Sequence, residues 1–182
     1  MALKASFGFG ENVCWTEVGR ALREASVRSA EQQHLTVSSR WVTRINIKVD
    51  RVACPWLIRR FIDPRAEFIF VPENELLQAA RAMNATPFDA PKISEIKLNH
   101  RGERCTFEAI LEDFHLGDAA LQRLGLIVRA ADVKGQDDDA PEGIGLRAVA
   151  NGFAAMGLSD EERLARQFPV YDALYRYVQS LS

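Results

Sequence analysis

Trp41-Val42-Thr43-Arg44-Ile45-Asn46-Ile47-Lys48-Val49-Asp50-Arg51-Val52-Ala53-Cys54-Pro55-Trp56-Leu57-Ile58-Arg59-Arg60-Phe61-Ile62-Asp63-Pro64, followed by Phe68-Ile69-Phe70-Val71, is the stretch that decides the fold. Trp41, Thr43, Ile45 and Ile47 alternate with Val42, Arg44, Asn46 and Lys48. A period of two with a β-branched bias predicts a strand. Pro55 to Ile62 reads as a helix, because proline suits a first helical turn and Asp63-Pro64 stops it. Phe68 to Val71 is a short buried strand. Strand, helix and strand in that order predict a βαβ unit with parallel strands and a right-handed crossover.

Working outward, the rest is mainly helical. Glu73 to about Met83 is rich in Leu, Ala and Glu and predicts a helix. Asn84 to Ser94 holds Pro87, Asp89 and Pro91 and reads as a loop, with Ile96 and Leu98 in a third short strand. His100-Arg101-Gly102-Glu103 reads as a turn. Phe107, Ile110, Leu111 and Phe114 are spaced for one helix, and Leu121, Leu124, Ile127 and Val128 for the next. Asp137-Asp138-Asp139 lacks the spacing of a calcium loop and reads as a solvated turn. Pro141 opens a helix to about Met156, and Ser159 with Glu162 forms a capping box for the last one, striped by Tyr171, Leu174, Tyr175 and Val178. The fold class is therefore α+β: a mostly helical single domain with a small sheet of about three strands that includes the βαβ unit. Residues 1–40 form a weakly structured or helical N-terminal arm, and residues 41–182 form the domain.

Composition excludes several classes. Twenty-three basic against 25 acidic residues, a net charge of −2, gives no general electrostatic attraction for nucleic acid. Three cysteines, Cys14, Cys54 and Cys105, without paired spacing do not make a disulfide framework. They fit reduced thiols in a cytoplasmic protein. The N-terminus has no continuous apolar run for a signal peptide, and no stretch is long and apolar enough for a membrane span. No phosphate-loop, dinucleotide or serine-hydrolase motif is present.

Two constellations carry chemistry. On a wheel of about 100° per residue, Leu57, Ile58, Phe61 and Ile62 share one side of the Pro55 helix, while Trp56, Arg59, Arg60 and Asp63 share the other. Arg51 and Cys54 stand just before its first turn, where unsatisfied N–H groups favour anions. Asp50, Arg51, Trp56, Arg59 and Arg60 are thus candidate ligand-binding residues for a small oxyanion. The alternative is an exposed face whose arginines pair with Asp50 and Asp63. The second constellation is His100 to Glu108. His100 and Glu108, with Asp132 from elsewhere, are candidate ligands for a divalent metal ion. Cys54 and Cys105 are candidate catalytic thiols; Cys105 beside Arg104 at a helix start has the setting for a lowered pKa. The alternative there is a turn histidine, a small buried cysteine and a glutamate complementing the helix dipole.

Val49 to Asp63 resembles the hallmark segment of the C-terminal domain of ChrB-type chromate-resistance proteins. Pro87-Phe88-Asp89, His100 to Glu108, Ile127 to Asp132, Ala140-Pro141-Glu142 and Tyr171 to Tyr175 follow in the family's order. Ala130 stands where the family usually has glycine. The resemblance implies a role in chromate resistance, sensing a chromate-like oxyanion and acting through a regulatory protein partner, with a homodimer as one assembly. The forty residues before Trp41 carry no helix-turn-helix pattern, so direct DNA binding is not expected from this chain. Two further readings stay open: a metal- or thiol-dependent enzyme for a small anionic substrate, and a structural or dimerisation domain.

Overall fold

The computed structural model describes residues 39–136 and 140–181. Cys14, His34, Asp137, Asp138, Asp139 and all but the last residues of the expected arm lie outside them. Strand β1 (Arg40–Arg44) leads to helix α1 (Asp50–Leu57), which continues as a π-helical turn (Ile58–Ile62) into β2 (Glu67–Val71). After a 3₁₀ turn (Glu73–Glu75) come α2 (Leu76–Met83) and β3 (Thr86–Pro87). Four helices complete the domain: α3 (Thr106–Asp113), α4 (Ala119–Asp132), α5 (Glu142–Ala155) and α6 (Asp160–Gln179). Ser159 and Glu162 cap α6 as a capping box. None of these helices is long and apolar enough to cross a membrane.

The sheet has the order β2-β1-β3 and is wholly parallel. Arg40 pairs with Glu67 and Arg44 with Val71, so the expected βαβ unit is present. The third strand differs from expectation. It lies at Thr86–Pro87, inside the expected loop, and Leu98 makes only a single bridge to Phe88. The cause is local: Asn84 adopts a left-handed conformation (φ 49°), ends α2 and turns the chain straight back onto β1. Pro87 then ends the strand, having no N–H to donate. Strand β1 also stops at Arg44 rather than continuing to Lys48. Asn46 turns left-handed (φ 62°), and the N–H groups of Asn46 and Ile47 donate to the Asp160 carboxylate instead of to a strand.

The central helix departs from the sequence reading in start, pitch and burial. It begins at Asp50, not Pro55, so Arg51 and Cys54 lie within it. Pro55 has no N–H for the carbonyl of Arg51, and three residues later the helix widens until Asp63 N donates to Ile58 O at 2.7 Å. Trp56, expected on the open side, is wholly buried. Its ring lies 6.2 Å from Tyr171 and 5.8 Å from Tyr175, because α6 covers the side opposite the rest of the core. A wheel gives the phase of a helix but not how many of its sides are covered. Helix α1 therefore runs through the middle of the domain, in contact with α3, α4 and α6. Helices α4 and α5 cross closely at Ala130 and Gly143; a Cβ on Gly143 would sit 2.6 Å from that of Ala130.

Candidate metal centre

The first residue of α1 points the opposite way from what an anion-binding helix start would require: it supplies the anion. The Asp50 side chain is 1% exposed. Its Oδ2 accepts the Thr106 N–H at 2.7 Å, and its Oδ1 accepts the Phe107 N–H at 3.1 Å and the Cys54 thiol at 3.3 Å. The orphan amides of α3 are thereby satisfied by a carboxylate from another helix, at the helix end that favours negative charge. Glu108 completes that start by accepting the Cys105 N–H at 3.0 Å, and its other oxygen meets Arg129 at 3.2 Å.

His100 lies over Asp50. Its Nε2 is 3.4 Å from Asp50 Oδ2, 3.4 Å from Asp89 Oδ1 and 3.6 Å from Asp132 Oδ2. Its loop is anchored by Asn99, whose amide donates to Ala90 O at 2.8 Å. Asp89 sits in a left-handed conformation (φ 48°), which aspartate tolerates better than most residues. Its Oδ1 accepts the Thr106 hydroxyl at 2.9 Å, while Oδ2 faces Arg51 Nε at 3.3 Å and Arg44 Nη2 at 3.6 Å. Asp132 is the last residue of α4, and its Oδ1 is 3.4 Å from the Asp50 amide. The ligand atoms of Asp50, His100 and Asp132 all fall within 4.8 Å of one another.

The electrostatics divide these groups. Hydrogen bonding to Asp50 and then Asp89 raises His100 to about 10, so it is an imidazolium near neutral pH. Burial would raise Asp89, but the hydrogen bond from His100 and the guanidinium groups of Arg51 and Arg44 outweigh it and hold its carboxyl below the usual range. For Asp132 the lowering effects of His100 and the Asp50 amide are outweighed. Burial first, then the neighbouring Asp50 and Asp89 carboxylates, push it up to about 7. Burial, and next the Asp50 charge, raise both Cys54 and Cys105 well above an ordinary thiol. That reverses the direction expected for Cys105. Arg104, expected to lower it, pairs with Glu112 at 3.0 Å instead. Both cysteines are free and buried.

The structure thus brings together Asp50, Arg51, His100 and Asp132 from the expected residues. Glu108 borders the group but is committed to the α3 cap and to Arg129. Trp56, Arg59 and Arg60 form a separate cluster. Asp172 accepts Trp56 Nε1 at 2.7 Å, Arg60 Nε at 2.9 Å and Arg60 Nη2 at 2.7 Å. Arg59 donates to the Ala66 carbonyl and lies 5.2 Å from the centre of the Phe68 ring and 5.8 Å from that of Phe168. Sequence reasoning missed Asp89 and Thr106. The available signal was an aspartate in a proline-bounded turn, Pro87-Phe88-Asp89, where a left-handed residue is common.

Fold and centre together define a small α+β domain built around a partly buried histidine–carboxylate cluster. The family model for the C-terminal domain of ChrB matches residues 41–178, and the chain belongs to that family. Protein ChrB of Cupriavidus metallidurans is 36% identical over 141 residues, which are 77% of this chain and 41% of the relative. The chain therefore spans less than half the length of that curated relative. No solved structure matches the chain.

Proposed function

We propose that this chain is a sensing module in chromate resistance that binds a divalent metal ion at Asp50, His100 and Asp132 and acts through a protein partner in the cytoplasm. One observation carries the reading: three carboxylate oxygens converge at 3.4 to 3.6 Å on one nitrogen of His100. A protonated nitrogen has one hydrogen and satisfies one of the three. A divalent cation would bind Asp50 and Asp132 directly and add its charge beside the Asp89 carboxylate. Donor atoms about 2.1 Å from a tetrahedral ion lie about 3.4 Å from each other; His100 Nε2 stands 3.4 Å from Asp50 Oδ2 and 3.6 Å from Asp132 Oδ2, and the three ligand atoms fall within 4.8 Å of one another. Two carboxylates and one imidazole suit zinc, manganese or ferrous iron better than a thiophilic ion. Loading would release the proton from His100.

The centre also suits a sensor by its position. It joins the start of α1, the start of α3, the end of α4 and the Asp89 turn, so occupancy bears on the packing of all four. An oxyanion held by Arg51, Arg59 and Arg60 together has less support, because Arg60 is engaged by Asp172 and Arg59 is turned to Ala66. Chemistry through Cys54 or Cys105 has less support too, since both thiols are buried in their neutral form.

The test is metal analysis with a thermal melt. Protein incubated with Mn²⁺ or Zn²⁺ and desalted should carry about one ion per chain and melt higher than the metal-free form. His100→Ala and Asp132→Asn should lose the ion, and Arg60→Ala should keep it. A wild-type chain that takes up neither ion overturns the reading.

A further inference from the structure

Helix α5 has two unlike faces. The inner face packs on α4, where Gly143 admits Ala130 and Arg147 Nε donates to the Ala131 carbonyl at 2.8 Å. The outer face is open among the described residues. Ile144 and Met156 are 58% and 57% exposed, and Val149 is 39% exposed. No charged residue is exposed between Ile144 and Met156. A surface helix ordinarily turns its charged residues outward. One that turns apolar side chains outward marks an interaction surface.

The residues of that face also say what fits it. On a wheel of about 100° per residue, Gly145, Ala148 and Gly152 run down its middle, with Ile144 on one side and Val149 and Met156 on the other. Glycine is a poor helix former beside alanine. A Cβ on Gly145 or Gly152 would meet nothing within 4 Å, so packing inside the chain requires neither, in contrast to Gly143. What the two glycines allow is the close approach of a second backbone. Their arrangement is self-matching: Gly145 and Gly152 stand at equal distances from the midpoint between Ala148 and Val149. Two copies laid antiparallel about that midpoint set each Gly145 against Gly152 of the other copy, and each Ala148 against Val149. A two-fold contact needs this kind of self-complementarity, because one patch serves both copies. The antiparallel direction also brings the positive N-terminal end of one helix to the negative C-terminal end of the other. A membrane surface fits less well, since it calls for lysine and arginine along the border of the face, and Arg147 is turned inward to α4.

We propose that two copies of this chain associate through the outer faces of α5, antiparallel about the Ala148–Val149 midpoint. A helix of 14 residues is about 21 Å long and roughly 10 Å wide. That limits the contact to the size of a transient interface, with a Kd on the order of 10–100 µM. The association does not depend on the metal centre.

Sedimentation of the full chain tests it. Wild type should run as a monomer near about 1 µM and increasingly as a dimer towards about 300 µM. Val149→Glu and Ala148→Lys both change exposed positions, so each should fold while weakening the dimer about tenfold or more. An equimolar mixture of the two variants should dimerise again, because the new carboxylate and the new amine meet across the antiparallel pair. Gly145→Ala with Gly152→Ala should raise the melting temperature of the dilute monomer and still weaken the dimer. A wild type that stays monomeric to about 300 µM overturns the proposal, as does a Val149→Glu chain that dimerises like wild type. A mixture that fails to dimerise overturns the antiparallel pairing.

Discussion

The segment from Asp50 to Arg60 has two ends with opposite fates. At the far end, one aspartate receives three short donors: Asp172 is met by the Trp56 indole and by both sides of the Arg60 fork, all between 2.7 and 2.9 Å. Arg59 is laid between two aromatic rings. At the near end, three aspartates approach one imidazole, and none comes closer to it than 3.4 Å. Apart from Arg59 Nε, which is buried without a hydrogen-bond partner, the first arrangement is paired and serves packing. In the second, burial and then the neighbouring Asp50 and Asp89 carboxylates push Asp132 up to about 7. Satisfied polar networks rigidify a fold, whereas an incompletely compensated one marks where something else belongs.

The contrast can be broken experimentally. The largest effect should come from Asp50→Ala, which strips two α3 amides and His100 of their buried partner. Destabilisation of about 3–5 kcal/mol in urea unfolding is expected. A loss under about 1 kcal/mol would mean the α3 amides do not depend on Asp50. Asp172→Ala should cost less, about 1–3 kcal/mol, because the Arg60 pair is partly exposed and the buried Trp56 indole N–H is the one donor left without its acceptor. It should leave metal uptake unchanged, and any loss of uptake would show that the two ends are not independent. Asp132→Asn should go the other way. Removing a carboxylate that burial and its neighbours disfavour should stabilise the metal-free chain by about 1 kcal/mol at pH 8, while abolishing uptake.

The same groups give stability a slope with pH. Asp132 has a folded pKa raised from 3.8 to about 7, so its folded form holds the proton more tightly, and stability is lost as pH rises through that window. His100 is raised from 6.5 to about 10, so its contribution is complete below 6.5 and lost as pH climbs through about 10. The metal-free chain should therefore melt progressively lower from about pH 4 to 10. The advantage of Asp132→Asn over wild type should grow between about pH 4 and 7. A melting temperature that rises across this range would contradict both assignments.

Much of the helical framework was legible, because apolar residues recur at helical spacing in α3, α4 and α6 and because Ser159 and Glu162 announce a start. The βαβ unit was legible from the alternation at Trp41 and the apolar block at Phe68. The third strand was not, since Thr86-Pro87 carries no periodicity; tertiary pairing with Val42 makes it a strand. Of the centre, Asp50, Arg51, His100 and Asp132 were visible as residue types. Asp89 was hidden by its proline-bounded loop, and its role depends on a backbone angle that no spacing reports. The fate of Trp56 and Arg60 turned on Asp172, a residue 112 positions beyond Arg60. Periodicity describes one helix at a time and says nothing of what arrives from such a distance.

The last helix gives the molecule a timetable. Asp160, at the start of α6, holds the amides of Asn46 and Ile47, and Tyr171 on the same helix donates to the carbonyl of Val49 at 3.0 Å. These are the residues that lead directly into Asp50. The entrance to the centre is thus fastened by side chains made more than a hundred residues later. During synthesis, Asp50, His100 and Asp132 leave the ribosome well before their clasp does. The segment that leads into Asp50 is therefore fastened only once α6 has been made and docked.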